Sequence, residues 1–317
     1  MRVRSTRRRH GARVLAGVTG FLTLALVAGC GSSGQQGQGT QNGQGGTGKT
    51  LTVVASTNVW GSIVSAIAGP GVTVDSIIKD PTADPHSYES TPADAAAISH
   101  ADLVVWNGGG YDDFAQKAID AAPEVKGKAI EAFALKPEKA DDNEHVWFDP
   151  PVVKGVVTQV ADRLSAVEPT QAAALHQRAQ TFTAKVDDEA AKLAKIGQAK
   201  PGSTVLSTEP IAHYLLATAG VADTTPTPFV EAIENESDPA PAALKQVDDA
   251  LSGHQVRALV FNPQTETPVT QGIRATAQGA GLPVVDVTET LPNGQDYLRW
   301  LDGNRTALAA ALGAPQA

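Results

Sequence analysis

The sequence predicts an α/β protein of two lobes, each a mostly parallel sheet flanked by helices, joined by one long rigid linker helix. Short runs of β-branched residues alternate with amphipathic segments over residues 50–312, as is typical of parallel sheets with helical crossovers. Residues 170–196 interrupt this alternation with a stretch that lacks glycine and proline. With 317 residues and 42% hydrophobic content, the chain can bury the cores of two domains.

The first lobe is assigned to residues 50–168. Its predicted strands are 51–56, 72–78 and 102–106. Asn58 is predicted to cap the helix that follows the first strand. Thr91 and Pro92 mark the start of another helix, with a capping side chain followed by a proline at the first helical position. Each strand is therefore followed by a helical segment, as in βα units.

The linker helix is assigned to residues 169–198 and the second lobe to residues 199–317. In the linker, apolar residues recur at steps of three and four from Leu175 to Ile196, which predicts one continuous helix about 40 Å long. The predicted strands of the second lobe are 204–207, 256–261 and 284–287. Helices are predicted from Pro210, after Pro268 and, at the end of the chain, from Tyr297 to Leu312.

The N-terminal residues are typical of an exported lipoprotein. Residues 1–29 carry six arginines and no acid and include the apolar run 14–28, which is shorter than the roughly 20 residues that span a bilayer, so we expect a signal peptide. The run ends in VAGC, which resembles the lipobox of bacterial lipoproteins and predicts lipidation of Cys30. Cys30 is the only cysteine, which rules out an internal disulfide. Residues 30–49, rich in glycine and glutamine, are expected to form a flexible tether.

The charge of the chain argues against nucleic acid as a partner. The formal net charge is −9, with 25 basic and 34 acidic residues, and six of the basic residues lie in the predicted leader. An acidic surface is compatible with cations as ligands, although it also serves solubility.

Four metal-ligand side chains are spread widely along the chain. They are His86, His145, Glu209 and Glu266, at successive separations of 59, 64 and 57 residues. Such spacing excludes a local chelate of the zinc-finger kind, in which ligands lie a few residues apart. Each residue lies near the end of an apolar run, where open α/β sheets present ligands. A site made from them must be assembled by the folded protein.

Other polar residues near these four are alternative or supporting members of the site. His213 lies four residues after Glu209 on the same predicted helical face, and Asn262 and Gln264 offer oxygen donors in the same loop as Glu266. Spacing alone does not decide among these ligands. Asp149 is expected to accept a hydrogen bond from an imidazole or to cap the following helix.

Two motifs resemble the cluster A-I metal-binding receptors of ABC importers, the zinc and manganese solute-binding lipoproteins. They are DPHSYESTPAD at residues 84–94 and HVWFDP at residues 145–150, and the resemblance extends over residues 50–312 together with the lipobox. It implies that His86 and His145 are the first two ligands. The family's third ligand lies five residues before a tyrosine, which implies Glu209 by counting back from Tyr214. Its final aspartate falls near Glu266, where this chain reads NPQTETP instead.

The resemblance implies a receptor rather than an enzyme. We expect a monomeric lipoprotein, anchored through Cys30 to the outer face of the cell membrane. It would capture Mn²⁺ or Zn²⁺ between its lobes and deliver the ion to an ABC permease driven by a cytoplasmic ATPase. Carboxylate ligands favour Mn²⁺ slightly, whereas a third imidazole from His213 would favour Zn²⁺.

Two alternatives belong to other classes. A secreted metal-dependent hydrolase would use two histidines and a carboxylate around an open metal position, but the sequence has no HExxH motif to supply a general base. A receptor for a siderophore, haem or another organic ligand would need an aromatic or arginine-lined cleft, and only 5% of the residues are aromatic.

Overall fold

The computed structural model describes residues 50–137, 142–235 and 237–316. The predicted signal peptide, the tether and Cys30 lie outside the described residues. Strands β1 to β8 are, in order, Leu51–Thr57, Val72–Ile78, Leu103–Trp106, Ala129–Glu131, Thr204–Ser207, Ala222–Asp223, Ala258–Phe261 and Val284–Asp286. Helices α1 to α11 are, in order, Asn58–Ala68, Pro92–His100, Asp113–Ala121, Pro123–Lys126, Pro150–Val167, Ala172–Ala199, His213–Ala219, Thr227–Glu234, Pro241–Ser252, Pro268–Gly279 and Tyr297–Leu312.

The strands form two four-stranded sheets with the same topology. The strand order is β2-β1-β3-β4 in the first sheet and β6-β5-β7-β8 in the second. Every strand pair in the described residues is parallel; Val53 of β1 lies opposite Leu103 of β3, and Val205 of β5 lies opposite Ala258 of β7. The predicted two-lobed α/β class is confirmed.

The hydrophobic core is continuous between the two sheets. One cluster contains Val53 and Val105 of the first sheet, Val205 of the second sheet, and residues of α1, α5, α6 and α11. Smaller clusters cover the outer face of each sheet, around Val104 in the first lobe and Leu259 in the second. Both faces of each sheet are therefore covered, as expected for parallel sheets in α/β proteins.

The long linker helix is observed as α6, which has 28 residues and is therefore about 42 Å long. The predicted apolar stripe is buried, from Leu175 to Ile196, and packs against α5, α7 and α11. The same face buries Glu189, whose Oε2 accepts a 3.0 Å bond from Arg305 Nε of α11. Packing and this buried ion pair hold the helix to the second lobe.

Two helix starts differ from the sequence prediction. Thr57, not Asn58, is the N-cap residue of α1, and the Asn58 side chain instead bonds both backbone groups of Leu291, at 3.1 and 2.9 Å. The helix predicted from Pro210 begins with a single 3₁₀ turn, and α7 starts at His213. Asn58 thus joins the first lobe to a loop of the second.

Candidate metal centre

Three side chains from both lobes converge at the carboxyl ends of the strands. His86, His145 and Glu289 each place one ligand atom within 4.8 Å of the others' ligand atoms. His86 follows β2 and His145 follows β4 of the first sheet, whereas Glu289 follows β8 of the second. Two imidazoles and a carboxylate are a donor set that suits a divalent transition metal.

His86 is held in a short loop with its own hydrogen bonds. Its backbone N–H donates to Asp84 Oδ1 at 2.9 Å, and Thr82 N–H donates to Asp80 Oδ1 at 2.9 Å. The ring packs edge-on against buried Tyr111, with the ring centroids 4.9 Å apart. The side chain is still 35% exposed, so His86 is the ligand candidate nearest to solvent in the group of three.

His145 is buried and its tautomer is set by a neighbour. Its backbone N–H and its ring Nδ1 both lie within hydrogen-bond distance of Asn143 Oδ1, at 3.0 and 3.1 Å. Because this amide oxygen can only accept, the proton lies on Nδ1 and the Nε2 lone pair is left for a metal. Burial holds the pKa of His145 well below its usual value, and the positive charges of His86 and His213 add to the effect. The imidazole is thus in the neutral form that binds metals.

Asn143 also connects the two lobes. Its Nδ2 donates to the carbonyl of Pro210 at 3.1 Å, and its own carbonyl accepts from the hydroxyl of Tyr214 at 2.7 Å. Pro210 directly follows Glu209. The residue that orients His145 is therefore bonded to the segment that carries a candidate ligand of the other lobe.

Glu289 presents a buried carboxylate oxygen to the two histidines. The residue is 1% exposed, and Oε2 has no hydrogen-bond partner among the described residues. This oxygen lies 3.7 Å from His86 Nε2. Burial, followed by the negative charges of Glu209 and Asp84, raises the pKa of Glu289 well above its usual value, and the nearby Tyr111 hydroxyl and Asn262 amide only partly offset the rise. A bound cation would satisfy this oxygen.

Glu209 is buried beside this group but does not belong to it. Its Oε1 accepts from Asn262 Nδ2, and its Oε2 accepts from Thr265 Oγ1 at 2.8 Å. Asn262 Nδ2 also donates to Glu289 Oε1 at 2.8 Å, so one amide group holds both carboxylates. Burial raises the pKa of Glu209 to about 7. Glu209 is the candidate for a fourth ligand that shares a hydrogen-bond donor with Glu289.

The structure places the other loop candidates outside the group of three. Glu266 is exposed and lines the surrounding cavity, whereas Glu289 supplies the carboxylate next to the histidines. Asn262 bonds both carboxylates through its nitrogen, and its Oδ1 accepts from Gln264 N–H at 2.9 Å. The Gln264 side chain is committed to hydrogen bonds with both lobes.

The remaining two candidates lie in secondary positions. His213 packs edge-on against Tyr214, with ring centroids 4.8 Å apart, and acts on His145 through its charge. Asp149 is the N-cap residue of α5 but makes no side-chain capping bond, and Asn143 is a hydrogen-bond partner of the His145 ring.

Sequence reasoning missed Glu289, although a signal for it was present. The residue lies three positions after β8, in VVDVTET, so it follows a buried apolar run just as His86, Glu209 and Glu266 do. The sequence predicts the strand, but the acid in the loop after it is not among the predicted ligands. Since carboxyl ends of parallel strands meet at one edge, every such loop is a source of ligands.

His86 and His145 line a cavity of about 840 Å³. Its lining includes seven acidic residues and, among the described residues, neither lysine nor arginine: Asp84, Asp142, Glu144, Glu209, Glu234, Asp238 and Glu266. Burial, together with the charges of Glu144 and Glu231, raises the pKa of Glu234 to about 6. The cavity is therefore an environment of negative potential that favours cations.

Comparison with known proteins yields one family. The family described as "ZnuA: Zinc-uptake complex component A periplasmic" matches residues 53–311. The high-affinity zinc uptake system protein ZnuA of Haemophilus ducreyi is 28% identical over 46% of this chain and 57% of its own length. The manganese ABC transporter substrate-binding lipoprotein PsaA of Streptococcus mitis is 22% identical over 92% of this chain and 96% of its own. Among solved structures, FpvC of Pseudomonas aeruginosa in complex with Mn²⁺ aligns with a TM-score of 0.69 at 23% identity, covering 84% and 99% of the two chains.

The two sheets of equal topology, with the histidine–carboxylate group at their edges, define a two-lobed solute-binding protein for metal ions. The family match extends over most of the chain, and the chain belongs to the ZnuA family of zinc-uptake components. The predicted cluster A-I resemblance is confirmed. This family consists of solute-binding proteins of metal transport rather than enzymes.

Proposed function

We propose that this protein is the extracytoplasmic receptor of an ABC importer for Mn²⁺ or Zn²⁺, and that it binds one ion with His86, His145, Glu289 and Glu209. Glu289 takes the place that the sequence analysis gave to Glu266. Four protein side chains complete the coordination of the ion, which suits capture and delivery and leaves no open position for an attacking water. The ion is cargo.

One observation carries the proposal. Among the described residues, no hydrogen bond is made to Glu289 Oε2, a buried carboxylate oxygen that faces His86 and His145 from the opposite lobe. A buried acid without a partner is costly unless a proton or a cation neutralises it. Because two imidazoles place ligand atoms within 4.8 Å of this oxygen, a metal ion is the neutralising species that fits all three groups.

The donor set is compatible with either Mn²⁺ or Zn²⁺ as the transported ion. Two carboxylates supply hard oxygen donors that suit Mn²⁺, while the Irving–Williams order predicts tighter binding of Zn²⁺ at almost any such site. The curated relatives carry both metals in their names, zinc for the Haemophilus ducreyi protein and manganese for the Streptococcus mitis protein. We favour Mn²⁺ slightly because His213 is not part of the group.

The chain's location and partners follow from its N-terminal sequence and its family. We propose that residues 1–29 are removed, that Cys30 is lipidated, and that residues 30–49 tether the folded part to the outer face of the cell membrane. The tether would place the lobes, 50–168 and 199–317 around a linker at 169–198, within reach of a permease whose ATPase lies in the cytoplasm. We expect the receptor to be a monomer.

The test is the metal content of residues 31–317 after refolding with chelator and dialysis against equimolar Mn²⁺ and Zn²⁺. Wild-type protein should retain about one ion per chain, and Glu289→Gln should retain little. Glu266→Gln is the matched control, since it makes the same chemical change at an acid that lines the cavity beside the two histidines. We expect its metal content to equal that of wild type.

Other outcomes would redirect the proposal. Loss of metal in Glu266→Gln with retention in Glu289→Gln would restore the ligand set expected from sequence. No stoichiometric metal in wild-type protein would contradict the receptor proposal and favour an organic ligand. Hydrolysis of a phosphate or peptide substrate by the metal-loaded protein would favour the enzyme alternative.

A further inference from the structure

Gln264 joins the two lobes at the metal centre through both ends of its side-chain amide. Its Nε2 lies 3.2 Å from the carbonyl oxygen of Pro81 and 2.8 Å from that of Ala83, in the loop that carries His86. Its Oε1 accepts from the backbone N–H of Glu289. The carbonyls of Pro81 and Ala83 can only accept and the backbone N–H of Glu289 can only donate. These partners therefore assign the positions of Nε2 and Oε1 in the Gln264 side chain.

This contact joins the loop around His86 to the second lobe. Its other hydrogen bonds among the described residues are local, such as those of Thr82 to Asp80 and of His86 to Asp84. Within the described residues, the hydrogen bonds between residues 80–87 and the second lobe all come from Gln264 Nε2. The loop is also the exposed side of the metal centre, because the His86 side chain is 35% exposed whereas His145 and Glu289 are buried.

The segment that carries Glu289 is anchored independently. Asn58 of the first lobe holds both backbone groups of Leu291, and Ser62 Oγ accepts from Tyr297 N–H at 2.9 Å. Gln264 also approaches Thr290 Oγ1 at 2.8 Å. Breaking the bonds from Gln264 would therefore remove the hydrogen bonds between the His86 loop and the second lobe, while the bonds that hold Leu291 and Tyr297 would remain.

We propose that Gln264 is a positioning residue that clamps the His86 loop against Glu289 and thereby sets the rate at which the bound metal leaves. The proposal deepens the proposed function, on which its metal-release part rests. Gln264 itself is no ligand, because both ends of its amide are already bonded. Opening the clamp would remove His86 from the ion while His145 and Glu289 remain, giving a partly coordinated state from which the ion departs.

Two substitutions of Gln264 distinguish the effect of its Nε2 contacts from that of its Oε1 contact. Gln264→Glu keeps an acceptor for the Glu289 N–H but turns a carboxylate oxygen toward the carbonyls of Pro81 and Ala83. Gln264→Met has similar length and removes both contacts. Gln271→Glu is the matched control, because it makes the same chemical change at an exposed position of α10.

The first measurement is amide hydrogen exchange on the metal-free protein. In Gln264→Glu, exchange should speed up in peptides covering residues 82–88 and stay at the wild-type rate at Glu289. In Gln264→Met, it should speed up in both places, because Glu289 N–H loses its acceptor. Unchanged exchange in residues 82–88 in both variants would overturn the clamp, whether or not metal binds; faster exchange throughout β1 and β5 would mean a general loss of structure and would also overturn it.

The second measurement is the rate of metal loss into excess chelator, followed by stopped flow after loading with Mn²⁺ or Zn²⁺. We expect both Gln264 variants to release metal at least tenfold faster than wild type and Gln271→Glu, with stoichiometry still near one ion per chain. Release at the wild-type rate would refute the clamp and leave the receptor proposal intact. Failure of wild-type protein to load metal would refute the receptor proposal, while the exchange experiment would still decide the clamp.

Discussion

Glu289 Oε2 lies 3.7 Å from Nε2 of His86, across the junction between the two sheets. The histidine belongs to the loop after β2 and the glutamate to the loop after β8, so neither lobe contains the group by itself. A metal bound here would contact both lobes, and its binding energy would add to the contacts that hold them together.

Substitutions of Glu209 and of His213 distinguish the two candidates for the fourth ligand. Glu209→Gln should weaken metal binding by about 100-fold or more, because it removes a buried carboxylate bonded through Asn262 to Glu289. His213→Gln should change affinity by less than about threefold, since His213 lies outside the group of three. Competition titration against a chelator of known affinity measures both. The reverse order of effects would place His213 on the ion and favour zinc.

Asn143 should affect metal affinity without contacting the ion. Asn143→Ala removes the acceptor that orients His145 Nδ1, and loss of such a partner typically lowers affinity about 10–100-fold. Asn235→Ala is a suitable control, because Asn235 is an exposed residue at the end of α8 whose amide bonds Glu231. Equal affinities of the two variants in the same titration would contradict the role of Asn143.

Metal binding should weaken as the pH falls below neutral. Burial raises the pKa of Glu209 to about 7, and burial with neighbouring negative charge raises that of Glu289 as well, so a proton must leave before either carboxylate binds metal. Each such proton costs up to about tenfold in affinity per pH unit below the pKa of its group. Titrations between pH 5.5 and 8 should therefore show a steep fall on the acid side. Affinity that is constant over this range would show that the carboxylates are already ionised.

The stability of the metal-free protein should have the opposite pH dependence. Burial raises the pKa of Glu209 in the folded state from 4.5 to about 7. The contribution of this group to the free energy of unfolding is therefore fully present below pH 4.5 and is lost as the pH rises through about 7. The effect is at most about 3 kcal/mol. Urea unfolding at pH 5.5 and pH 8 should show a smaller difference in Glu209→Gln than in wild type. Identical differences would mean that Glu209 is ionised throughout.

The buried ion pair between α6 and α11 should contribute strongly to stability. Arg305 and Glu189 have side chains only 6% and 9% exposed, and removing one partner of such a pair typically costs about 3–5 kcal/mol. We expect Glu189→Leu to lose about 3 kcal/mol of unfolding free energy, because Asp302 still neutralises part of the Arg305 charge. Lys192→Met, which removes the more exposed partner of Glu189, should cost less than about 1 kcal/mol. Equal losses in urea unfolding would contradict this ranking.

Most of the fold could be predicted from the sequence because local patterns determine its helices and longer strands. The apolar stripe from Leu175 to Ile196 predicted α6, and Thr91 with Pro92 predicted the start of α2, where Thr91 accepts from Asp94 N–H and completes a capping box. The short strands β4 and β6 were missed, since three and two residues give too little periodicity to detect.

The site was only partly accessible because it depends on contacts between distant loops. His86 and His145 were found from their motifs and do lie together. Glu289 and Glu266 are both acids after strands, and only the register of β8 beside β7 brings the first of them to the histidines. Asn143 also bonds a residue 67 positions away and Gln264 bonds one 183 positions away, and sequence spacing does not reveal such contacts.

The most direct test of the account is an anomalous diffraction map of the protein crystallised with Mn²⁺ or Zn²⁺, recorded at the absorption edge of the metal. We predict one strong peak about 2.0–2.2 Å from a ring nitrogen of His86, a ring nitrogen of His145 and a carboxylate oxygen of Glu289. Glu209 should complete the coordination. A peak beside Glu266 and away from Glu289, or no peak between the lobes, would contradict the central claim.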